Sequence, residues 1–370
     1  MMEKSKVYFA DFHATPNETL LQKLRRLIDR AGYASLDLKD KFVALKIHFG
    51  EMGNLAYMRP NYARVVADFT KELGGKPFLT DANTLYVGSR KNALDHIETA
   101  YRNGFDPFVT GCHVVIADGL KGTDEVLVPI EGEYVKEAKI GRAVMDADVI
   151  VSLTHFKMHE CAGAGGALKN IGMGCGSRAG KMEMHSSGKP IVDQSVCVGC
   201  RVCAQTCAHD AISFDAANGN KASIDVDKCA GCGRCIGRCP KDAVEAAMDE
   251  SFEILNKKIC EYSLAVLQGR QAFHIALVND VSPFCDCHAE NDIPVVPNVG
   301  MFASFDPVAL DLACAEAVNK QPIVPNSALA KKTPNGDHFC TMHPTTNWRS
   351  VIEYGAKLGL GSLEYELIEI

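Results

Sequence analysis

Residues 197–207 read CVGCRVCAQTC, and residues 229–240 read CAGCGRCIGRCP. Both follow C-x2-C-x2-C-x3-C, and a proline closes the second. No other feature restricts the folding of this chain as strongly. Four cysteines packed this tightly can serve a common centre only if the backbone loops around it. Eight of the sixteen cysteines lie in this block. In an exported small domain such a count would mean disulfides. Here the chain has 370 residues, and its start, MMEKSKVYFADF, shows neither a long apolar segment nor a cleavage pattern. A reducing cytoplasm is therefore the expected location, and clustered C-x-x-C spacing there means metal.

The tandem resembles the bacterial two-cluster ferredoxins, whose spacing wraps three cysteines around one 4Fe–4S cube and sends the fourth to the other cube. Cys197, Cys200, Cys203 and Cys239 are assigned to one cube. Cys207, Cys229, Cys232 and Cys235 are assigned to the other. Gly199, Gly231 and Gly233 let the backbone curl and aim N–H groups at sulfur. DAISFD and KASIDVDKC read as short strands, and Ala208 stands where the second quartet has proline. Zinc knuckles use two C-x-x-C pairs and a longer spacer, unlike two compact quartets. The resemblance implies one-electron transfer at low potential.

On either side the pattern changes. KVYFADF and KFVALKIHF are strand-like, and NETLLQKLRRLIDRAG between them has helical spacing, an Asn/Glu start and a glycine stop. RPNYARVVADFTKELGGKPFLTD reads as helix, turn and strand. HVVIAD and DADVIVSLTHF read as buried strands. Beyond the cysteines, a helix over MDESFEILNKKICEYSLAVLQ precedes the strand AFHIALVNDVS. FDPVALDLACAEAV opens with Asp306 as N-cap and Pro307 at the first helical position. Strands alternating with helices predict an α/β fold. The expectation is a large, mostly parallel α/β domain, 1–186 and 248–370, interrupted by a small α+β ferredoxin-like domain, 187–247.

Net charge is −7 without a basic run, which argues against a nucleic acid partner. No stretch of about 18 apolar residues occurs, so no membrane span is expected. Oligomeric state is not legible.

The segment THFKMHECAGAGGALKN, 154–170, leaves a predicted strand. If that strand runs through residue 159, His155, Lys157 and His159 share one face. Three ionisable groups at a strand exit are costly in a core and suit a site. His155, Lys157, His159 and Lys169 are therefore the catalytic candidates. Gly163, Gly165, Gly166 and Asn170 form a candidate anion- or ligand-binding loop, opening a helix whose N-terminus suits an anion. The order is not that of a P-loop. A second loop, VNDVSPFCDCH, puts Cys285, Cys287 and His288 together as candidate ligands of a third metal or partners of a small molecule. His338, Cys340 and His343 could contribute, and Lys46, His48 and Glu51 mark another strand exit. Cys112, Cys161, Cys175, Cys260 and Cys314 read as small buried hydrophobes or bystanders.

DADVIVSLTHFKMHECAGAGGALKNIGMGC, CDCHAENDIPVVPNVGMFASFDPVALDLA and YGAKLGLGSLEYEL resemble the family known as domain of unknown function 362, which often carries a ferredoxin insert. The resemblance implies an iron–sulfur protein of anaerobic type and assigns no reaction. A fainter resemblance is to the nickel-pincer lactate racemases, through His155 or His159, Gly165, Gly166 and Lys169. Ala164 stands where that family has serine, and the proline-glycine after the lysine is missing. The expected function is iron–sulfur electron transfer, with two 4Fe–4S clusters relaying electrons to or from a redox site in the α/β domain. That domain would act as a ferredoxin-dependent oxidoreductase on a small molecule or with a redox partner protein. The alternatives are a dedicated carrier whose α/β domain only docks a partner, or a metal- or cluster-handling protein.

Overall fold

The computed structural model describes residues 4–86, 88–186 and 188–370. Its main body is an eight-stranded sheet in the order Tyr365–Glu369, Ser5–Asp11, Gly300–Ser304, Gln271–Val278, Val149–His155, Phe42–Lys46, Lys76–Asp81, His113–Ile116. Five of the seven neighbour pairings are parallel, and both antiparallel ones involve Gly300–Ser304. The expected mostly parallel α/β sheet is thus present.

Side-chain alternation divides the core between the two faces of the sheet. Val149, Val151 and Leu153 point to one face with Val43 and Leu45, against Leu24, Leu27 and Val66 of two helices. Ala44 and Ile150 point to the other, against Ile171 and Ile259. All seven residues of Val149–His155 are buried, as a parallel strand covered on both faces requires. His113–Ile116 departs from the expected buried strand: it is an edge, with His113 and Val115 exposed. The first helix, Leu20–Arg30, is capped by Thr19 and Gln22 rather than by Asn17. Asp306 caps Pro307–Asn319 as expected, accepting from the Ala309 N–H at 2.8 Å.

The strand at the opening candidate site stops at His155. Lys157–His159 forms its own short hairpin with Gly163–Gly165. The cause lies in backbone pairing: Phe156 N–H still bonds Leu277, but Met158 N–H turns to the Ser282 carbonyl.

In the cysteine-rich segment, Ile212–Asp215 pairs with Lys221–Ile224. Pro190–Val192 pairs antiparallel with Val244–Ala246, which brings the two ends of the segment side by side. The segment packs on the main body through Leu85 and Met182, against Ile236 and Val244. Arg178 bonds the Lys121 carbonyl at 2.8 Å and lies against Gly233 and Gly237. No helix among the described residues is long and apolar enough to cross a membrane.

Candidate active site

The two cysteine quartets share one backbone. Gly199 and Gly231 have φ of 68° and 69°; Arg201 and Gly233 have 66° and 67°; Asp210 and Asp242 have 47° and 54°. These are the same positions in each repeat, so both loops wind identically even where the residue is not glycine. Left-handed backbone turns successive N–H groups inward. Cys197 accepts from Ala222 N–H at 3.4 Å, Cys229 from Gly231 at 3.4 Å and Cys239 from Ala243 at 3.3 Å. Burial raises the Cys203 thiol, and the neighbouring Cys239 and Cys200 raise it further. Burial, Cys232 and Cys229 push Cys235 up to about 12. Cys203 thus lies near Cys200 and Cys239, and Cys235 near Cys229, Cys232 and also Cys203. Thiols clustered this way are poor acids unless a cation takes them as thiolates, so the donor set fits metal.

The second region lies where parallel strands end together. Its centre is Asp286, which sequence reasoning missed. His155 Nδ1 donates to Asp286 Oδ2 at 2.9 Å, and Lys157 Nζ donates to the same oxygen at 2.6 Å. His155 Nε2 faces the Asn279 carbonyl at 2.7 Å, so both ring nitrogens are donors. Burial alone would raise Asp286, but the charges of His155 and Lys157 hold it well below the usual carboxylate range. His155 and Lys157 therefore tie the strand exit to the 279–288 loop.

Asn170 is a second clamp. Its Nδ2 donates to the Lys46 and Leu153 carbonyls at 3.2 and 3.0 Å, and its Oδ1 accepts from Lys46 Nζ at 2.8 Å. Lys46 also pairs with Asp81 at 3.0 Å, and Arg90 with Glu51 at 3.0 Å. His48 bonds Arg90 at 3.0 Å and is held neutral by burial and by the cations Arg90, Lys157 and Lys46.

The helix Ala167–Cys175 does hold an anion at its N-terminus, but the anion is the chain's own. Asp311 accepts from the Ala167 and Leu168 N–H groups at 2.6 and 2.9 Å. Burial pushes its carboxyl up to about 7 despite these donors. A Cβ on Gly166 would meet that carboxyl at 2.4 Å, and one on Gly163 would meet the Trp348 backbone at 2.8 Å. The expected ligand loop is thus partly a packing loop, with Gly165 and Gly166 still lining a cavity.

Lys169, His159, Cys285 and Cys287 converge. Lys169 Nζ stands 3.9 Å from Cys285 Sγ, and Cys287 N–H donates to the same sulfur at 3.4 Å. A hydrogen bond from Cys287 holds the buried Cys285 well below an ordinary thiol, with Lys169 and His159 adding to it. The same bond raises Cys287, as burial does. Three donor groups close within 4.8 Å and could hold a metal ion: His159 with Cys285 and Cys287, His159 with Glu160 and Cys161, and Glu160 with Cys287 and His288. His288 thus joins Glu160, at 2.9 Å, rather than both cysteines. His338 and His343 instead face the Gln321 and Pro283 carbonyls at 2.9 and 2.6 Å. Cys340 forms no donor group with them among the described residues.

Two cavities meet here. A narrow one of ≈ 50 Å³ is lined by Lys46, His48, Lys157, Lys169, Cys285 and Cys287. A larger one of ≈ 460 Å³ has Lys169, His159 and Cys287 on one side and Asp242, Val244 and Met248 on the other. Tyr86, Lys169 and Cys287 border both. Cys161, expected to be a bystander, and His185 also face the larger cavity.

Residues 43–316 match the family described as Domain of unknown function (DUF362). No curated protein matches. The lactate racemase apoprotein from Thermoanaerobacterium thermosaccharolyticum is similar at 13% identity and TM-score 0.35, over 75% of this chain and 51% of that one. A protein from Thermotoga maritima is similar at 13% identity and TM-score 0.40, over 80% and 58%. The chain thus spans between half and three fifths of the length of these two solved structures.

Proposed function

We propose that this chain, which belongs to the domain of unknown function 362 family, is an iron–sulfur electron-transfer protein of a reducing cytoplasm. Cys197, Cys200, Cys203 and Cys239 would hold one 4Fe–4S cube, and Cys207, Cys229, Cys232 and Cys235 the other. Such cubes supply single electrons at low potential when bound. The α/β unit is the oxidoreductase part, exchanging those electrons with a small molecule or a redox partner.

One observation carries the reading. The wall of the larger cavity is built from Asp242–Met248, directly after Cys239, and the facing wall carries Cys287, His159 and Lys169. Asp242 is also fixed by an ion pair with Lys91 of the main body. An electron centre at the quartets would therefore adjoin, through the segment that follows Cys239, the chamber that holds the strand-exit site. Lys169 there favours a substrate bearing negative charge.

Anaerobically isolated protein is expected to carry about eight irons and eight acid-labile sulfides. Cys203→Ser and Cys235→Ser should each damage a different cube. Stoichiometric zinc, with no cluster absorbance and no paramagnetic signal on reduction, would refute the reading.

A further inference from the structure

The donor group His159, Cys285 and Cys287 looks at first like a site for one ion. The hydrogen bonds of His159 argue otherwise. Its Nδ1 accepts from the backbone N–H groups of Cys161 and Ala162 at 3.0 and 3.1 Å. A nitrogen that accepts two N–H bonds carries no proton, so in the neutral ring the proton sits on Nε2. Nε2, 3.8 Å from Glu160 Oε1, is then available to its neighbours as a donor, not as a ligand. Both oxygens of Glu160 are also engaged, by His288 at 2.9 Å and by Cys285 N–H at 3.4 Å. Two sulfurs remain in that group, and the nearby third thiol, Cys161, closes within 4.8 Å only with His159 and Glu160.

What surrounds Cys285 is instead a nest for a thiolate. Lys169, the Cys287 N–H and the His159 ring converge on the sulfur of Cys285, a residue 2% exposed. Cys287, one residue removed, offers the second sulfur and opens into both cavities. We propose that Cys285 and Cys287 form a reversible dithiol–disulfide couple, the redox site of the α/β unit. In the reducing direction the S–S bond breaks, taking up two electrons and one proton. Cys285 leaves as the thiolate held by Lys169 and His159, and Cys287 leaves as the thiol. The reverse step releases the same two electrons and one proton to a two-electron acceptor, such as a small disulfide, in the larger cavity. The identity of the electron donor as a low-potential one-electron carrier rests on the iron–sulfur reading; the couple itself does not.

The test uses the whole protein under anaerobic conditions, equilibrated in cystamine/cysteamine buffers, acid-quenched, denatured, alkylated and analysed by peptide mass spectrometry. The peptide bearing Cys285 and Cys287 should pass from doubly alkylated to an internal disulfide as the buffer is made oxidising. Cys260 and Cys314, buried and lining neither of the two cavities, should stay alkylated. Dithionite should reopen the bond, and Cys287→Ser should abolish it. Lys169→Gln should move the midpoint about tenfold towards the disulfide, because the reduced form loses its counter-charge. A pair that stays reduced at every ratio overturns the proposal, as does one zinc per chain retained by these two sulfurs. Iron and sulfide are measured on the same samples. Their absence would remove the cubes while leaving the couple standing, and their presence beside an inert pair would do the reverse.

Discussion

Around Cys203 the chain gathers thiols with a handful of apolar residues, Ile236, Val244, Ala222 and Ala246 among them. Around Asp286 it gathers buried charges, with His155 and Lys157 bonded to one acid and Lys46 to another. The first region is arranged for something it must receive. The second supplies most of its own partners, with Asn279 Oδ1, Asp81 Oδ2 and Arg90 Nη2 left buried without a hydrogen bond. A small segment buries little apolar surface, and a bound metal is one way such a segment gains order. A strand edge between two packed layers can hold costly groups rigidly, because removing any one partner leaves the others uncompensated.

The sharpest way to break this contrast is to strip iron from the anaerobic protein with a chelator and follow amide exchange. Protection in Lys221–Ile224 should vanish, with opening free energies near zero. Val149–His155 should keep the global value, on the order of 5–15 kcal/mol. Equal loss in both strands would mean that the segment and the main body are one cooperative unit.

Next in size is Asp286→Ala, which leaves His155 and Lys157 as buried cations without their acid. Denaturant unfolding should show a loss of about 3–5 kcal/mol, with the Cys quartets still able to take iron. The pH dependence follows from the sign. The folded carboxylate lies below its unfolded value, so its stabilisation is full above about pH 4 and is lost as pH falls further. Wild type and variant should converge in acid.

The smallest effect is expected at His288, a half-buried ring raised by its hydrogen bond to Glu160. Its contribution has the opposite sense: present below about pH 6.5, it is lost as pH rises through the higher folded value. Solvent screening limits His288→Ala to about 0.5 kcal/mol in thermal or denaturant unfolding at pH 6. A loss as large as that of Asp286→Ala would show that the loop is held from its outer side.

What could be read in advance divides along the same line. The quartets are local, and their spacing names their chemistry. The buried strands are local too, since Val149–Leu153 and Phe273–Val278 are apolar apart from Ser152 and His274. Asp286 was illegible because it sits between two cysteines as an apparent spacer, and its partners lie 131 and 129 residues away. Asp311 was hidden for the same reason: it reads as a residue of its own helix, while its carboxyl caps another helix 144 residues earlier. The end of the strand at His155 depends on the Ser282 carbonyl, which no periodicity in 149–159 encodes. Tyr365–Glu369 joins the sheet beside Ser5–Asp11, a pairing of the chain's two ends that local pattern does not announce.

The pairing of Pro190–Val192 with Val244–Ala246 has a consequence in polymer terms. Seen from the main body, everything between those strands is a closed loop. The entropy of closing a loop grows only with the logarithm of its length, so each doubling costs about 0.6 kcal/mol. Against a turn of a few residues, the excursion 193–243 is roughly three to four doublings and weighs on the main body by about 2 kcal/mol. Whether it is ordered or molten, the two strands that anchor it present the same ends to Met182 and Leu85. The main body can keep its shape whatever the state of the excursion.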